Sequence, residues 1–116
     1  MRVLLVEDDA AVREALGDLL IEAGHAVTSV GTFGEAAELL ERAPCDVLLA
    51  DLMLPGGSGL DLATQARTQG LGAVLCSGHP ARIEQLRGRG IVYLVKPFSA
   101  EALEAALTAV AHGADR

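Results

Sequence analysis

With 116 residues, half of them apolar and only 3% aromatic, the chain fits one ordinary domain and is excluded from the disordered class. A formal net charge of −7 sets direct nucleic-acid binding at a disadvantage. Two Phe, one Tyr and no Trp leave little from which to build a base-stacking platform, so the core must be Leu, Val, Ile and Ala. No apolar stretch approaches the ~20 residues of a membrane span, and no signal-peptide pattern precedes the first apolar run. A cytoplasmic chain with no membrane partner is expected. Cys45 and Cys76 are isolated, lack metal-ligand spacing and fall in apolar strand contexts, where they read as small hydrophobes.

Short apolar runs alternate with helical patterns five times. Val3 to Val6 predicts a buried strand. Val12, Leu16, Leu19, Leu20 and Ala23 then share one helical face, with Gly24 as the stop. Ala26 to Val30 predicts the second strand. Thr32 and Glu35 have capping-box spacing, and Ala36, Leu39, Leu40 and Ala43 carry that helix to Pro44. Val47 to Ala50 predicts the third strand, ending at Asp51. Pro55, Gly56, Gly57 and Gly59 mark a loop before a helix bearing Leu60, Leu62, Ala63 and Ala66. Ala73 to Cys76 predicts the fourth strand, Ala81 to Arg87 a short helix, and Ile91 to Val95 the fifth strand. Ser99 caps a last helix with Leu103, Leu107 and Val110 inward, followed by a short tail from His112 to Arg116.

No linker, repeat or low-complexity segment interrupts this pattern, so residues 1–116 are expected to form one domain, without an output domain in this chain. Five β-then-α units with short connections predict an α/β fold, an open doubly wound parallel sheet covered on both faces. Barrel closure would take about eight strands.

In such sheets ligands bind beyond the carboxyl ends of the strands. There the sequence places Glu7, Asp8 and Asp9 after the first strand, Asp51 after the third, Ser77 after the fourth and Lys96 after the fifth. The acid triplet is equally open to a plain reading, a solvated turn with Asp9 as helix cap. Set beside a fourth carboxylate, however, these acids would repel one another, a cost that a hard divalent cation such as Mg²⁺ relieves. Asp51 could simply cap the next turn, but the Pro/Gly-rich segment behind it leaves its carboxylate in view, and a carboxylate can carry a phosphoryl group as a mixed anhydride. Ser77 alone is an ordinary polar strand end; beside an acylphosphate its hydroxyl could donate to a phosphoryl oxygen, with Gly78 leaving access open. Lys96 is the only lysine in a chain that otherwise uses Arg. As a compact charge it can pair with Asp51 and then with its phosphate. A cis bond to Pro97 would aim it back at the site.

These residues resemble the receiver domain of two-component response regulators, including the stand-alone chemotaxis regulator, from about Val3 to Val110. The matching segments are Leu5-Val6-Glu7-Asp8-Asp9, Ala50-Asp51-Leu52-Met53-Leu54-Pro55-Gly56, Leu75-Cys76-Ser77-Gly78 and Val95-Lys96-Pro97-Phe98. The resemblance implies a flavodoxin-like fold with strand order 2-1-3-4-5 and a phosphorelay switch rather than a turnover enzyme. It implies Asp51 as acceptor of a phosphoryl group from a sensor histidine kinase. Asp8 and Asp51 would ligate Mg²⁺, with the Met53 carbonyl and, through water, Glu7. Ser77 and Lys96 would bind phosphoryl oxygens. Ser77 and Tyr93 would switch the surface of the fourth helix, fifth strand and fifth helix toward a downstream partner or output domain, with homodimerisation as one outcome. Met53 and His79 stand where the family tunes dephosphorylation, and neither positions water well, so slow self-dephosphorylation is implied. The stretch from Ser77 to Lys96 is slightly short for the family. Arg82, Arg87 and Arg89 form a basic patch there, read first as a solvated helix face and second as a site for an acidic or phosphorylated partner.

Three other functions fit less of the sequence. A non-phosphorylated pseudo-receiver, acting as an interaction module, would not need Glu7, Asp8, Asp51, Ser77 and Lys96 together. An aspartyl-nucleophile phosphatase wants a second acid where Met53 stands. A flavin-binding domain wants a Ser/Thr/Gly-rich loop where the acid triplet stands.

Overall fold

The computed structural model describes residues 1–42, 45–84 and 86–114, the last three by backbone alone. In chain order the elements are β1 (Arg2–Val6), α1 (Ala10–Glu22), β2 (Ala26–Val30), α2 (Phe33–Arg42), β3 (Val47–Asp51), β4 (Met53–Leu54), β5 (Gly57–Ser58), α3 (Gly59–Thr68), β6 (Gly72–Ser77), α4 (Pro80–Glu84), β7 (Val92–Val95) and α5 (Ala100–Ala114). Five strands form a parallel sheet in the order β2-β1-β3-β6-β7. Counting those five alone, this is the expected order 2-1-3-4-5.

Alternation along each strand sorts the core onto two faces. Leu4, Val6, Leu48, Ala50, Ala73 and Leu75 meet α2, α3 and α4. Val3, Leu5, Val47, Leu49 and Val74 meet Leu20 of α1 and Leu103, Ala106 and Leu107 of α5. Because both faces are covered, β1, β3 and β6 must be apolar on successive residues, which is why they read as unbroken aliphatic runs.

The helix signals act as expected at several ends. Asp9 caps α1, its Oδ1 accepting from the Ala11 and Val12 amides at 2.9 and 3.1 Å. Gly24, at φ +95°, ends it, with the His25 amide donating to the Leu20 carbonyl at 3.1 Å. Thr32 accepts from the Glu35 amide at 3.3 Å, but the Glu35 carboxylate returns to the Thr32 hydroxyl at 3.0 Å rather than to its amide. Ser99 accepts from the Ala102 amide at 3.0 Å at the head of α5.

Five details depart from the sequence reading. In α1 only Leu20 is buried; Val12 and Ala23 are exposed, because Val12 borders an open groove with Phe98 and Ala23 is the cap where the chain leaves the helix. The segment after Asp51 is no irregular loop but a two-residue hairpin, Met53 opposite Ser58 and Leu54 opposite Gly57, turned by Pro55 and Gly56 (φ +90°). Cys45 lies just ahead of β3, half-buried, not in a strand. The short helix is described over Pro80–Glu84, with Leu86 and Arg87 in a turn, and α5 runs to Ala114, so the tail expected from His112 is helical through that point. The expected end of α2 at Ala43 and Pro44 lies outside the described residues.

Gly59 shows why the hairpin can fold over the third strand: a Cβ there would sit 2.2 Å from the Asp51 carbonyl oxygen. Gly17, in the middle of α1, has nothing within 4 Å of its would-be Cβ. Opposite signs are therefore expected for the same substitution. Gly17→Ala should stabilise by about 1 kcal/mol, and Gly59→Ala should destabilise by roughly 1–3 kcal/mol through overpacking. Urea denaturation of the two variants checks this, and equal effects would contradict it.

Candidate functional site

The site sits where β1, β3, β6 and β7 end. Strand pairing sets its spacing: Val6 lies opposite Ala50, Asp51 opposite Cys76, and Ser77 opposite Val95. The residues just past these positions therefore share one rim. Glu7 is buried, Asp8 exposed and Asp51 intermediate, and carboxylate oxygens of the three lie within 4.8 Å of one another. Lys96 reaches across β6 to them. Its Nζ hydrogen-bonds Glu7 Oε1 and donates to Asp51 Oδ2 at 3.2 Å. The bond to Asp51 matches the sequence reading; the pairing with Glu7 is new.

Backbone bonds hold each part. The Lys96 amide donates to the Ser77 carbonyl at 2.9 Å, extending the β6–β7 pairing by one residue, and the Lys96–Pro97 peptide is cis as expected. The Leu52 amide donates to the Cys76 carbonyl at 2.8 Å, which fixes the exit of the chain from Asp51. Glu7 Oε2 accepts from the Asp9 amide at 3.3 Å, so the helix-capping residue also orients the buried acid. Arg13, which no motif in the sequence singled out, donates from Nη1 to the Glu7 carbonyl at 2.8 Å and pins the end of β1 from α1. Its only sequence signal is a place one turn into the helix that follows the acids.

Charge balance explains why the lysine matters. Burial pushes the Glu7 carboxyl above its ordinary range; the Lys96 hydrogen bond and charge pull it back in part, and Asp51 adds to the rise. Burial works against the Lys96 ammonium, yet its hydrogen bond to Glu7 and the charges of Asp51 and Glu7 outweigh it and hold Lys96 above its ordinary value. Lys96 is therefore a fixed cation. One cation among three close carboxylates leaves the cluster short of positive charge. Three hard oxygen donors, one of them exposed, suit a small divalent ion that keeps some of its waters, so the donor set fits Mg²⁺.

Around this centre, Ser77 is buried, its Oγ accepting from the His79 amide at 3.1 Å. A Cβ at Gly78 would come no nearer than 4.0 Å to Lys96, so no crowding demands glycine there. Met53 is 48% exposed on the hairpin beside Asp51. Tyr93 is half-buried on β7 against the face that carries α4. Pro97 and Phe98 line an open groove with Val12, Ala15 and Leu16. Among the described residues no helix is long and apolar enough to cross a membrane.

Comparison with known proteins shows the class of domain to which this five-stranded parallel sheet, with acids, a hydroxyl and a lysine on one rim, belongs. Residues 3–108 match the response regulator receiver domain model. The chain is 38% identical over 107 residues to the response regulator protein FleR of Pseudomonas aeruginosa, covering 88% of this chain and 23% of FleR. It is 37% identical over 115 residues to the two-component response regulator PhoP of the same organism, covering 95% of this chain and 51% of PhoP. The structure of the response regulator protein TrrA from Thermotoga maritima, in complex with Mg²⁺–BeF, matches with a TM-score of 0.84 at 25% identity, covering 94% of this chain and 97% of TrrA. The chain belongs to the response regulator receiver family of two-component signal transduction. It spans about half or less of the length of these two curated relatives.

On β6, opposite Asp51, Cys76 is 2% exposed and its Sγ lies 3.6 Å from the Ala50 carbonyl. Burial pushes its thiol up to about 12, so almost no thiolate exists at neutral pH. Iodoacetamide at pH 8 should leave Cys76 unmodified in the folded protein and alkylate it after denaturation. Peptide mass mapping checks this, and native-state labelling of Cys76 at the rate of the half-buried Cys45 would contradict it.

Proposed function

We propose that Asp51 takes a phosphoryl group from the phosphohistidine of a sensor histidine kinase, and that the 116 residues act as one receiver unit whose state a partner or output domain reads. The observation that carries this is the bond from Lys96 to Asp51 inside a cluster of three carboxylates on the rim of the sheet. An Asp51 oxygen attacks phosphorus while the phosphorus–nitrogen bond to the donor imidazole breaks, and the imidazole nitrogen leaves with the bonding pair. Mg²⁺ held by Asp8, Asp51 and the Met53 carbonyl, with Glu7 through water, would neutralise charge on the transferring group. Lys96, already charged and already bonded to Asp51, turns to a phosphoryl oxygen once that carboxylate becomes the mixed anhydride. Ser77 frees its hydroxyl to donate to another.

The same movement supplies the switch. Ser77 ends β6 and Tyr93 stands on the adjoining β7, packed on the cluster that holds Ile83 and Leu86 of the α4 region. Withdrawal of Ser77 toward the phosphoryl group opens space into which Tyr93 turns, remodelling the face of α4, β7 and α5. Pairing of two phosphorylated chains through that face is one such output. The exposed thioether of Met53 cannot orient a hydrolytic water, which supports a long-lived phosphoryl group.

Intact mass after incubation with acetyl phosphate tests this reading. A single phosphoryl adduct is expected on the wild type, requiring Mg²⁺ and absent from Asp51→Asn. A folded wild-type protein that takes up no phosphoryl group would overturn it in favour of a pseudo-receiver. Tyr93→Ala should keep the adduct and lose the change in amide exchange at α4 that phosphorylation brings; an undiminished change would remove Tyr93 from the switch.

A further inference from the structure

β2 is an edge strand, paired with β1 on one side and with no other strand among the described residues. The Ala26 amide donates to the Met1 carbonyl at 3.0 Å, and the Val30 carbonyl accepts from the Glu7 amide at 3.1 Å, so Ala26, Thr28 and Val30 face β1. Alternation then turns the amides and carbonyls of Val27 and Ser29 outward. Thr28 and Ser29 are both exposed. Proteins usually blunt such an edge with charged residues, proline or a bulge. Ala26–Val30 carries no charge and no proline, and its register with β1 runs unbroken.

A groove borders this edge on each face of the sheet. On the α1 side, Val27 and Ser29 line one of about 360 Å³ with Glu14, Gly17, Asp18 and Ile21. Glu14 and Asp18 are exposed, and neither has an ion pair among the described residues. Arg13 also lines this groove, but its guanidinium is held by the bond to the Glu7 carbonyl at 2.8 Å. Gly17 keeps the groove open: nothing lies within 4 Å of its would-be Cβ, so a longer side chain there would enter the space. Glycine inside a helix costs stability, and packing does not demand it at this position. On the α2 side, Ala26 and Thr28 border a smaller groove of about 210 Å³ with Leu39 and Cys45.

We propose that the outer edge of β2 takes an extended segment of a partner protein as a sixth strand, its basic side chains toward Glu14 and Asp18 and its aliphatic ones toward Leu39 and Cys45. Main-chain bonds to Val27 and Ser29 supply affinity, and the two grooves read alternate side chains. Charge selects this occupant. A second copy would set acidic helices against acidic helices, since α1 carries Glu14, Asp18 and Glu22 and α2 carries Glu35, Glu38 and Glu41. A nucleic acid would meet the same repulsion. The site goes beyond the phosphorylation chemistry, because β2 contributes none of the carboxylates, hydroxyl or lysine on the rim.

A short fluorescein-labelled peptide of alternating lysine and valine, followed by polarisation with the unphosphorylated protein, is the probe. Binding should weaken as NaCl rises. Amide exchange followed by NMR should slow at Val27 and Ser29 when the peptide is added. Gly17→Leu, which favours the helix but fills the groove, should abolish binding. Glu14→Gln/Asp18→Asn should weaken it roughly fivefold, whereas Glu41→Gln on α2 should leave it unchanged. If Gly17→Leu misfolds, the two charge variants decide. Phosphoryl uptake from acetyl phosphate should match wild type in all of them, which separates failure of docking from failure of the site at Asp51. The proposal fails if the peptide does not bind, or if it binds with exchange at Val27 and Ser29 unaltered, which would be charge attraction alone. It also fails if Glu14→Gln/Asp18→Asn and Glu41→Gln behave alike. Self-association in sedimentation that Gly17→Leu abolishes would make the occupant a second copy and overturn it as well.

Discussion

The contact on which the site depends is the one Lys96 makes with Glu7 and Asp51 at once. Carboxylates this close are mutually repulsive, and Glu7 is nearly sealed from water, so the cluster could not persist with its acids ionised and unopposed. A lysine suits this place better than an arginine: its compact charge on a flexible stem can leave Asp51 for a phosphoryl oxygen without losing Glu7. On the proposed reading, Glu7 would anchor Lys96 in either state of Asp51.

That contact in turn depends on strand order. The acids follow β1 and end β3, which are neighbours, and the lysine follows β7, separated from β3 by β6 alone. A parallel sheet puts all these strand ends on one side, and its aliphatic core fixes their heights through the register of Val6 with Ala50 and Asp51 with Cys76. Apolar side chains fill both faces of β1 and β3 between their ends. The hairpin that follows Asp51 closes over the strand end because Gly59 allows backbone contact that a Cβ would forbid.

How much of this was legible in the sequence follows from where each signal lies. Buried parallel strands announce themselves as unbroken aliphatic runs, so β1, β3, β6 and β7 could be placed within a residue or so, and the rim residues with them. Asp9 and Ser99 were recognisable as caps because capping is local. Contacts joining distant parts of the chain were less visible. The Glu7–Lys96 pair spans the molecule, and Arg13 acts through a backbone carbonyl, which leaves no trace in residue type. Helix α1 misled because its apolar spacing continues past the part that the sheet covers, leaving Val12 outside. The β4–β5 hairpin was hidden because two residues per strand are too few to show alternation, and Pro and Gly signal a turn without saying what it joins.

The electrostatic claim is tested most directly by isothermal titration calorimetry of Mg²⁺ into the unphosphorylated protein and into Asp8→Asn. With three carboxylates sharing one fixed lysine, the wild type should bind a single Mg²⁺, and loss of the exposed Asp8 carboxylate should abolish the heat while leaving the fold intact. Equal Mg²⁺ binding by the two proteins, or none by the wild type, would contradict it and show that Lys96 alone satisfies the cluster.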